Sequence, residues 1–157
     1  MPESLKSRII RWRFNVFPAL RGTGGKVTYV ADDLKEIHVK LPLTWRTKNY
    51  VGTLFGGSMF GVVDAFYMVM FINLLGKAYI VWDKSATIYF KKPGRSTLRA
   101  KFIITDDELD SIRDVLETER KLERTYSVDL VDEDGVVCAT VDKLLYFRRR
   151  EKPSDPS

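Results

Sequence analysis

The chain has 157 residues, enough for one domain that buries roughly 70% of its unfolded surface without help from a disulfide or a metal. Hydrophobic residues at 45% and charged residues at 30% exclude a disordered or fibrous chain, while one cysteine and one histidine exclude a disulfide framework, a cysteine-cluster zinc site and paired-histidine metal motifs. The net charge of +5 is the sum of opposed blocks: basic at Lys6 to Arg21 and Arg148 to Lys152, acidic from Asp106 to Glu119. Nucleic-acid binding asks for a basic stripe on a known module, and no module follows the basic start, so no nucleic-acid partner is expected.

In chain order, the N-terminus is polar and lacks the apolar run of a signal peptide. Leu5, Ile9, Ile10, Trp12, Phe14 and Val16 suit an amphipathic helix capped by Ser4 and stopped before Pro18. Gly22 to Gly25 reads as a loop. Residues 26–31 and 36–41 read as two strands of a hairpin around Asp32 and Asp33. From Leu54 to Leu75 the only charge is Asp64. That length would cross a membrane, but an acid near the middle costs about 2.5–3.5 kcal/mol there, and the strand-patterned remainder needs something to wrap. A buried helix in a protein core is therefore expected, with no membrane span.

Strands follow at 81–90, alternating Trp82, Lys84, Ala86, Ile88 and Phe90 against Val81, Asp83, Ser85, Thr87 and Tyr89, and at 97–104 after a turn at Pro93 and Gly94. Asp106 to Thr118 reads as a short acidic helix or loop. Residues 126–131 and 136–147 form a hairpin around Asp134 and Gly135. The tail from Glu151, with two prolines, is expected to be disordered. The organisation expected is an N-terminal helix and loop at 1–24, a main domain at 25–148 and a basic tail at 149–157. Its class is α+β, an antiparallel sheet wrapped around one long helix.

Residues 49–57 read Asn-Tyr-Val-Gly-Thr-Leu-Phe-Gly-Gly, with Asp64 nine positions after Phe55. This resembles the Asn-x-x-Gly-x-x-His-Gly-Gly motif, with an acid nine positions after the histidine, of small hot-dog acyl-CoA thioesterases of the phenylacetate-pathway type. Residues 86–94, Ala-Thr-Ile-Tyr-Phe-Lys-Lys-Pro-Gly, are similar to the same family's strand ending in Phe-x-x-Pro. The block Val81-Trp82-Asp83-Lys84 looks closest to the DUF4442 branch of that superfamily. The resemblance covers roughly residues 27–147 and implies the hot-dog fold, a cytoplasmic enzyme without a cofactor, and a homodimer or tetramer whose site lies between subunits. Phe55 departs from the motif, because phenylalanine can neither donate nor accept the hydrogen bond of a histidine.

Thioester hydrolysis needs an activated water and a stabilised oxyanion. Gly56 and Gly57 fall at the expected start of the long helix, where backbone N–H groups lack intrahelical partners, so the Gly57 N–H is placed to polarise a thioester carbonyl. Asp64 follows seven residues later, two helical turns or about 10 Å along the same face. A carboxylate in apolar surroundings holds a proton more readily, which suits a general base or nucleophile. By the resemblance, Asn49 orients the water or carbonyl, Phe55 and Gly56 border the substrate, and Trp82, Asp83, Lys84 and Ser85 contact substrate from the strand after the helix. Lys91, Lys92 and Arg95 would then meet the phosphates of CoA. Each also has a plain structural reading: Asp64 as a buried acid bonded to backbone or to Tyr67, the glycines as packing residues, Asn49 as a turn residue, Asp83 and Lys84 as an exposed strand face or an intersubunit ion pair, and the cations as a solvated turn.

Other nucleophile motifs fail on spacing. Ser58 is not in a Gly-x-Ser-x-Gly elbow, since position 60 is Phe60, and Gly22, Gly24 and Gly25 lack the lysine of a phosphate loop. Cys138 reads as a reduced core thiol, and His38 as a surface or core residue. The two functional readings are a thioester hydrolase and a hot-dog module that binds acyl-CoA or a similar ligand without turnover.

Overall fold

The computed structural model describes residues 3–151, so the expected disorder at 152–157 lies outside the described residues. Helix α1 (Leu5–Val16) starts where expected, with the Ser4 side chain accepting a hydrogen bond from the Ser7 N–H. A short helix, α2 (Pro18–Thr23), replaces part of the expected loop; proline at its first position suits a helix start, and Gly24, with a φ of 82°, ends it. Strands β1 (Lys26–Val30) and β2 (Glu36–Leu41) form the expected antiparallel hairpin.

The long apolar segment forms a helical rod over Gly56–Leu75, in two pieces, α3 (Gly56–Gly61) and α4 (Phe66–Leu75). Between them Val63 and Asp64 donate to carbonyls three residues back, at Phe60 and Gly61, so this turn is wound more tightly than an α-helix. By length and composition the rod would cross a membrane, but Met59, Val62, Val63, Phe66, Tyr67, Met70, Phe71 and Leu75 are all buried against the sheet. Phe66 packs tilted against Phe102 and Phe71 edge-to-face against Phe147, with ring centroids 5.0 and 5.1 Å apart. Each such ring withdrawn from water contributes about 1.5–3 kcal/mol, so the segment is held as the core of this domain.

Then come β3 (Tyr79–Phe90), β4 (Leu98–Ile103), α5 (Asp106–Thr118), β5 (Leu122–Val131) and β6 (Val137–Arg149). The acidic segment is a helix, capped by Thr105, with Leu109, Ile112 and Leu116 buried and its three leading acids at the end where the helix dipole favours them. The β5–β6 hairpin turns at Gly135 (φ 80°), with the Asp132 carboxylate accepting from the Asp134 and Val136 N–H groups.

The six strands form one antiparallel sheet in the order β1-β2-β4-β5-β6-β3. It loosens in the middle, where only Arg99 and Val131 pair β4 with β5. The simple alternation expected for β3 does not hold. A bulge at Lys84 shifts the register between Asp83 and Ser85, so Val81 and Asp83 lie opposite Phe147 and Leu145, while Ala86, Ile88 and Phe90 lie opposite Lys143, Val141 and Ala139. Cross-strand partners share a face, and these β6 partners are all buried. The extra residue thus puts both Asp83 and Phe90 on the helix-facing side.

Candidate functional site

On the sheet's inner face, one strand in from the β3 edge, is a residue the sequence reading did not single out. Lys143, on β6, is 1% exposed, and its ammonium lies 2.6 Å from Asp64 Oδ1 and 3.3 Å from Asp83 Oδ2. It also sits 5.9 Å from the centre of the Phe60 ring, a cation–π contact. A lysine this deep is tolerated only when paired, and two carboxylates from two different elements supply the partners. The signal was present in the parity of the strand: Lys143 alternates in phase with Val141, Leu145 and Phe147, all buried.

Asp64 reaches this cluster from the tight turn between α3 and α4. Its partner is Lys143 rather than Tyr67, whose hydroxyl donates instead to the Ser127 carbonyl at 3.1 Å. The expectation of an apolar surround is corrected: the Asp64 side chain is half-exposed (50%) and ion-paired. The expectation that it shares a face with Gly57 assumed 3.6 residues per turn, which the overwound step at Val63 and Asp64 breaks. No donor reaches Asp64 Oδ2 among the described residues, so one oxygen is anchored and the other is open. Asp83 is the more enclosed acid (24% exposed). Its Oδ1 is buried without a partner, and burial pushes its carboxyl above the usual 3.8, against the pull of Lys143 and with a further push from Asp64.

The motif residues gather around a second feature, a cavity of about 430 Å³ walled by Asn49, Leu54, Gly56, Met59, Phe90 and Lys91, with Lys92 also at its edge. Asp64 is not among its walls. Lys91 and Lys92 are held by their N–H groups on the Cys138 carbonyl, while their side chains, like that of Arg95, are exposed and in no ion pair among the described residues. Asn49 is a turn residue: its carbonyl oxygen accepts from the Val51 and Thr53 N–H groups, and its NH₂ donates to the Thr53 hydroxyl. Its second N–H makes a longer bond, 3.4 Å, to the Leu54 carbonyl, so the amide is engaged in the turn, the plain structural reading of this residue.

Phe55 precedes α3 and is exposed, with its ring laid on Gly57. A Cβ on Gly57 would come within 2.5 Å of that ring, and one on Gly56 within 2.9 Å of the Phe90 ring. Both glycines therefore make room for aromatic rings. Their N–H groups precede the first capping bonds, which Ser58 and Met59 make to the Phe55 carbonyl. Trp82 and Ser85 are exposed on β3, and Lys84 pairs with Glu123 of the same chain at 2.8 Å. So Asp83 and Lys84 both find their ion partners within this chain.

His38 bonds Glu36 through Nε2 at 2.6 Å, outside these features. Cys138 is a free, buried thiol that burial, helped by Asp132, pushes up. Among the described residues no group of three or more His, Cys, Asp or Glu is placed to hold a metal ion.

The fold has solved counterparts. PA5026 from Pseudomonas aeruginosa, a protein of unknown function and probable thioesterase, superposes with a TM-score of 0.81 at 17% identity, covering 96% of this chain and 99% of that one. The thioesterase HI1161 from Haemophilus influenzae gives 0.67 at 15% identity over 94% and 93%. The E. coli PaaI protein of the phenylacetic acid degradation operon gives 0.61 at 14% over 92% of each chain. A search of curated proteins returned no match. These neighbours share the hot-dog fold, which the sheet and its central helix display here. The family model for the domain of unknown function DUF4442 matches residues 6–147, and the chain belongs to that family.

Proposed function

We propose that this protein hydrolyses an acyl-CoA thioester with Asp64 as general base or nucleophile. The observation that carries the reading is the half-exposed Asp64 carboxylate, anchored through one oxygen by buried Lys143 and open at the other. As base, Asp64 takes a proton from water, the hydroxyl adds to the thioester carbonyl, and collapse of the tetrahedral intermediate breaks the C–S bond. The CoA thiolate then leaves and collects the proton. Lys143 holds the carboxylate in place and, lacking exposure, touches no substrate. The N–H of Gly57, without an acceptor among the described residues, is the proposed donor to the carbonyl oxygen, and Lys91, Lys92 and Arg95 the proposed contacts for CoA phosphates. The exposed edge of β3 suggests that a second copy pairs there and closes the site. A cytoplasmic location belongs to the same reading.

A panel of acyl-CoAs assayed with a thiol reagent tests it. Asp64→Asn is expected to lower kcat by about 10²–10⁴-fold, the usual contribution of a positioned base. Thiol release by the wild type no faster than by Asp64→Ala, on every chain length, removes the hydrolase. The second reading, a module that binds acyl-CoA without turnover, is favoured by one observation: Phe55, whose ring rests on Gly57, offers no hydrogen bond where the motif has histidine. Tight calorimetric binding of a CoA thioether with no hydrolysis of the matching thioester selects it.

A further inference from the structure

Helix α1 has two apolar faces. One, with Ile10 and Phe14, packs on the core, where Asn15 binds the β1 backbone. The other is a line of exposed residues: Leu5 at 73%, Ile9, Trp12 at 63%, and Val16. At 100° per residue these four fall within about 60° of one another, on the side away from Ser7 and Phe14. Lys6 and Arg13 flank the line on one side and Arg8 on the other, all exposed and in no ion pair among the described residues. At its C-terminal end, Val16 shares a surface cavity with Arg21, Lys26, Trp45 and Arg46, and Trp45 is 80% exposed. The acids at the other end are engaged: Glu3 binds Arg11 and the Val30 N–H, and Asp32 accepts from Ser7. Residues 4–31 contain six Lys or Arg and no Asp or Glu, and residues 39–63 contain three and none.

We propose that α1 is an interfacial helix that lays the protein on an anionic lipid surface. Leu5, Ile9, Trp12 and Val16 enter the headgroup boundary, and Lys6, Arg8 and Arg13 meet lipid phosphates. An in-plane helix presents apolar side chains to the headgroup boundary with cations beside them and tryptophan at the interface, and this line has that cross-section. The charge argues against the other occupants. A second copy docked through the same line would set these cations against their own images. A nucleic acid would use the cations but has no place for four apolar side chains at the centre of the contact. The surface also lies by β1, at the opposite edge of the sheet from β3, so pairing of two copies along β3 leaves it open. This inference is independent of whether Asp64 hydrolyses anything.

Flotation of the full chain with vesicles tests it, using phosphatidylcholine alone and phosphatidylcholine mixed two to one with phosphatidylglycerol. The wild type is expected to float with the mixed vesicles and not with the neutral ones, with a blue shift of tryptophan emission that Trp12→Phe reduces. Ile9→Asp with Trp12→Asp should abolish flotation, and because both side chains are exposed the melting curve should not move. Replacing Lys6, Arg8 and Arg13 by Ser should weaken anionic binding about 100-fold, at about fivefold per cation. Three results overturn the proposal. The protein ignores anionic vesicles, whether or not it binds an RNA oligonucleotide; flotation survives the Ile9 and Trp12 changes; or those changes alter the sedimenting mass, which would show that a second copy covers the stripe.

Discussion

At one end of the sheet β1 runs five residues with α1 laid beside it: Asn15 answers both the N–H and the carbonyl of Val27, and Glu3 accepts from the Val30 N–H. At the other end β3 runs twelve residues, pairs only with β6, and receives no side-chain hydrogen bond on its backbone among the described residues. Trp82, Tyr89 and Phe90 stand exposed along it. One edge is finished by the chain's own side chains and the other is left long and partly apolar, the kind of edge that soluble proteins cover by pairing. The difference shows which edge the proposed pairing of two copies would use, and it places the ion cluster. Asp83 is on the open strand and Lys143 on its single neighbour, so the pair also pins β3 to the rest of the sheet.

The largest expected effect comes from charging the open edge. Trp82→Lys with Tyr89→Lys should weaken self-association at least about 100-fold by adding like charges to a pairing strand, read by analytical ultracentrifugation; a wild type already monomeric at micromolar concentration would break the comparison outright. Next is the pin. Lys143→Met leaves two carboxylates without their cation, one of them largely enclosed, and should cost about 3 kcal/mol in urea unfolding, with faster amide exchange along β3 than along β1. Smaller is the finished edge. Asn15→Ala strips two partners from Val27 and should cost about 2 kcal/mol while leaving the oligomeric state alone.

The smallest effect is a pH dependence. The Asp83 carboxyl is pushed above 3.8, so its folded form binds a proton more tightly than the unfolded chain does. Its contribution to stability is therefore full below pH 3.8 and is lost as pH rises through the folded value. Asp83→Asn should flatten the stability profile on that limb; an unchanged slope would show that Asp83 is not the group responsible.

Much of the fold was legible from local chemistry. Turn residues at Asp32, Asp33, Pro93 and Gly94 marked the strands beside them, Ser4 marked a cap, Asp134 and Gly135 marked a turn, and the apolar run marked the core rod. The site was legible only in part. Asp64 stood out because it is the only charge in an apolar run, whereas Lys143 lies in a strand with Asp142 and Arg148 nearby, where one more charge looks ordinary until its parity is counted. Asn49 was legible only as two alternatives, because the same amide that could orient a substrate also closes an Asx turn, and the structure shows the turn. The bulge could not be read at all: β3 alternates equally well in either register, and the choice is made by β6 and the helix.

That bulge has a consequence for how the chain tolerates change. Strand β3 is two half-strands spliced out of phase at Lys84, one presenting Asp83 to Lys143, the other presenting Phe90 to Gly56. Removing a single residue at the splice would restore one phase along the whole strand, turning either the acid or the aromatic wall outward, but not keeping both. A length change at 132–136, by contrast, would be absorbed in a surface turn. Lys84 therefore shapes the interior mainly by being counted, through its backbone, while its side chain faces Glu123 outside.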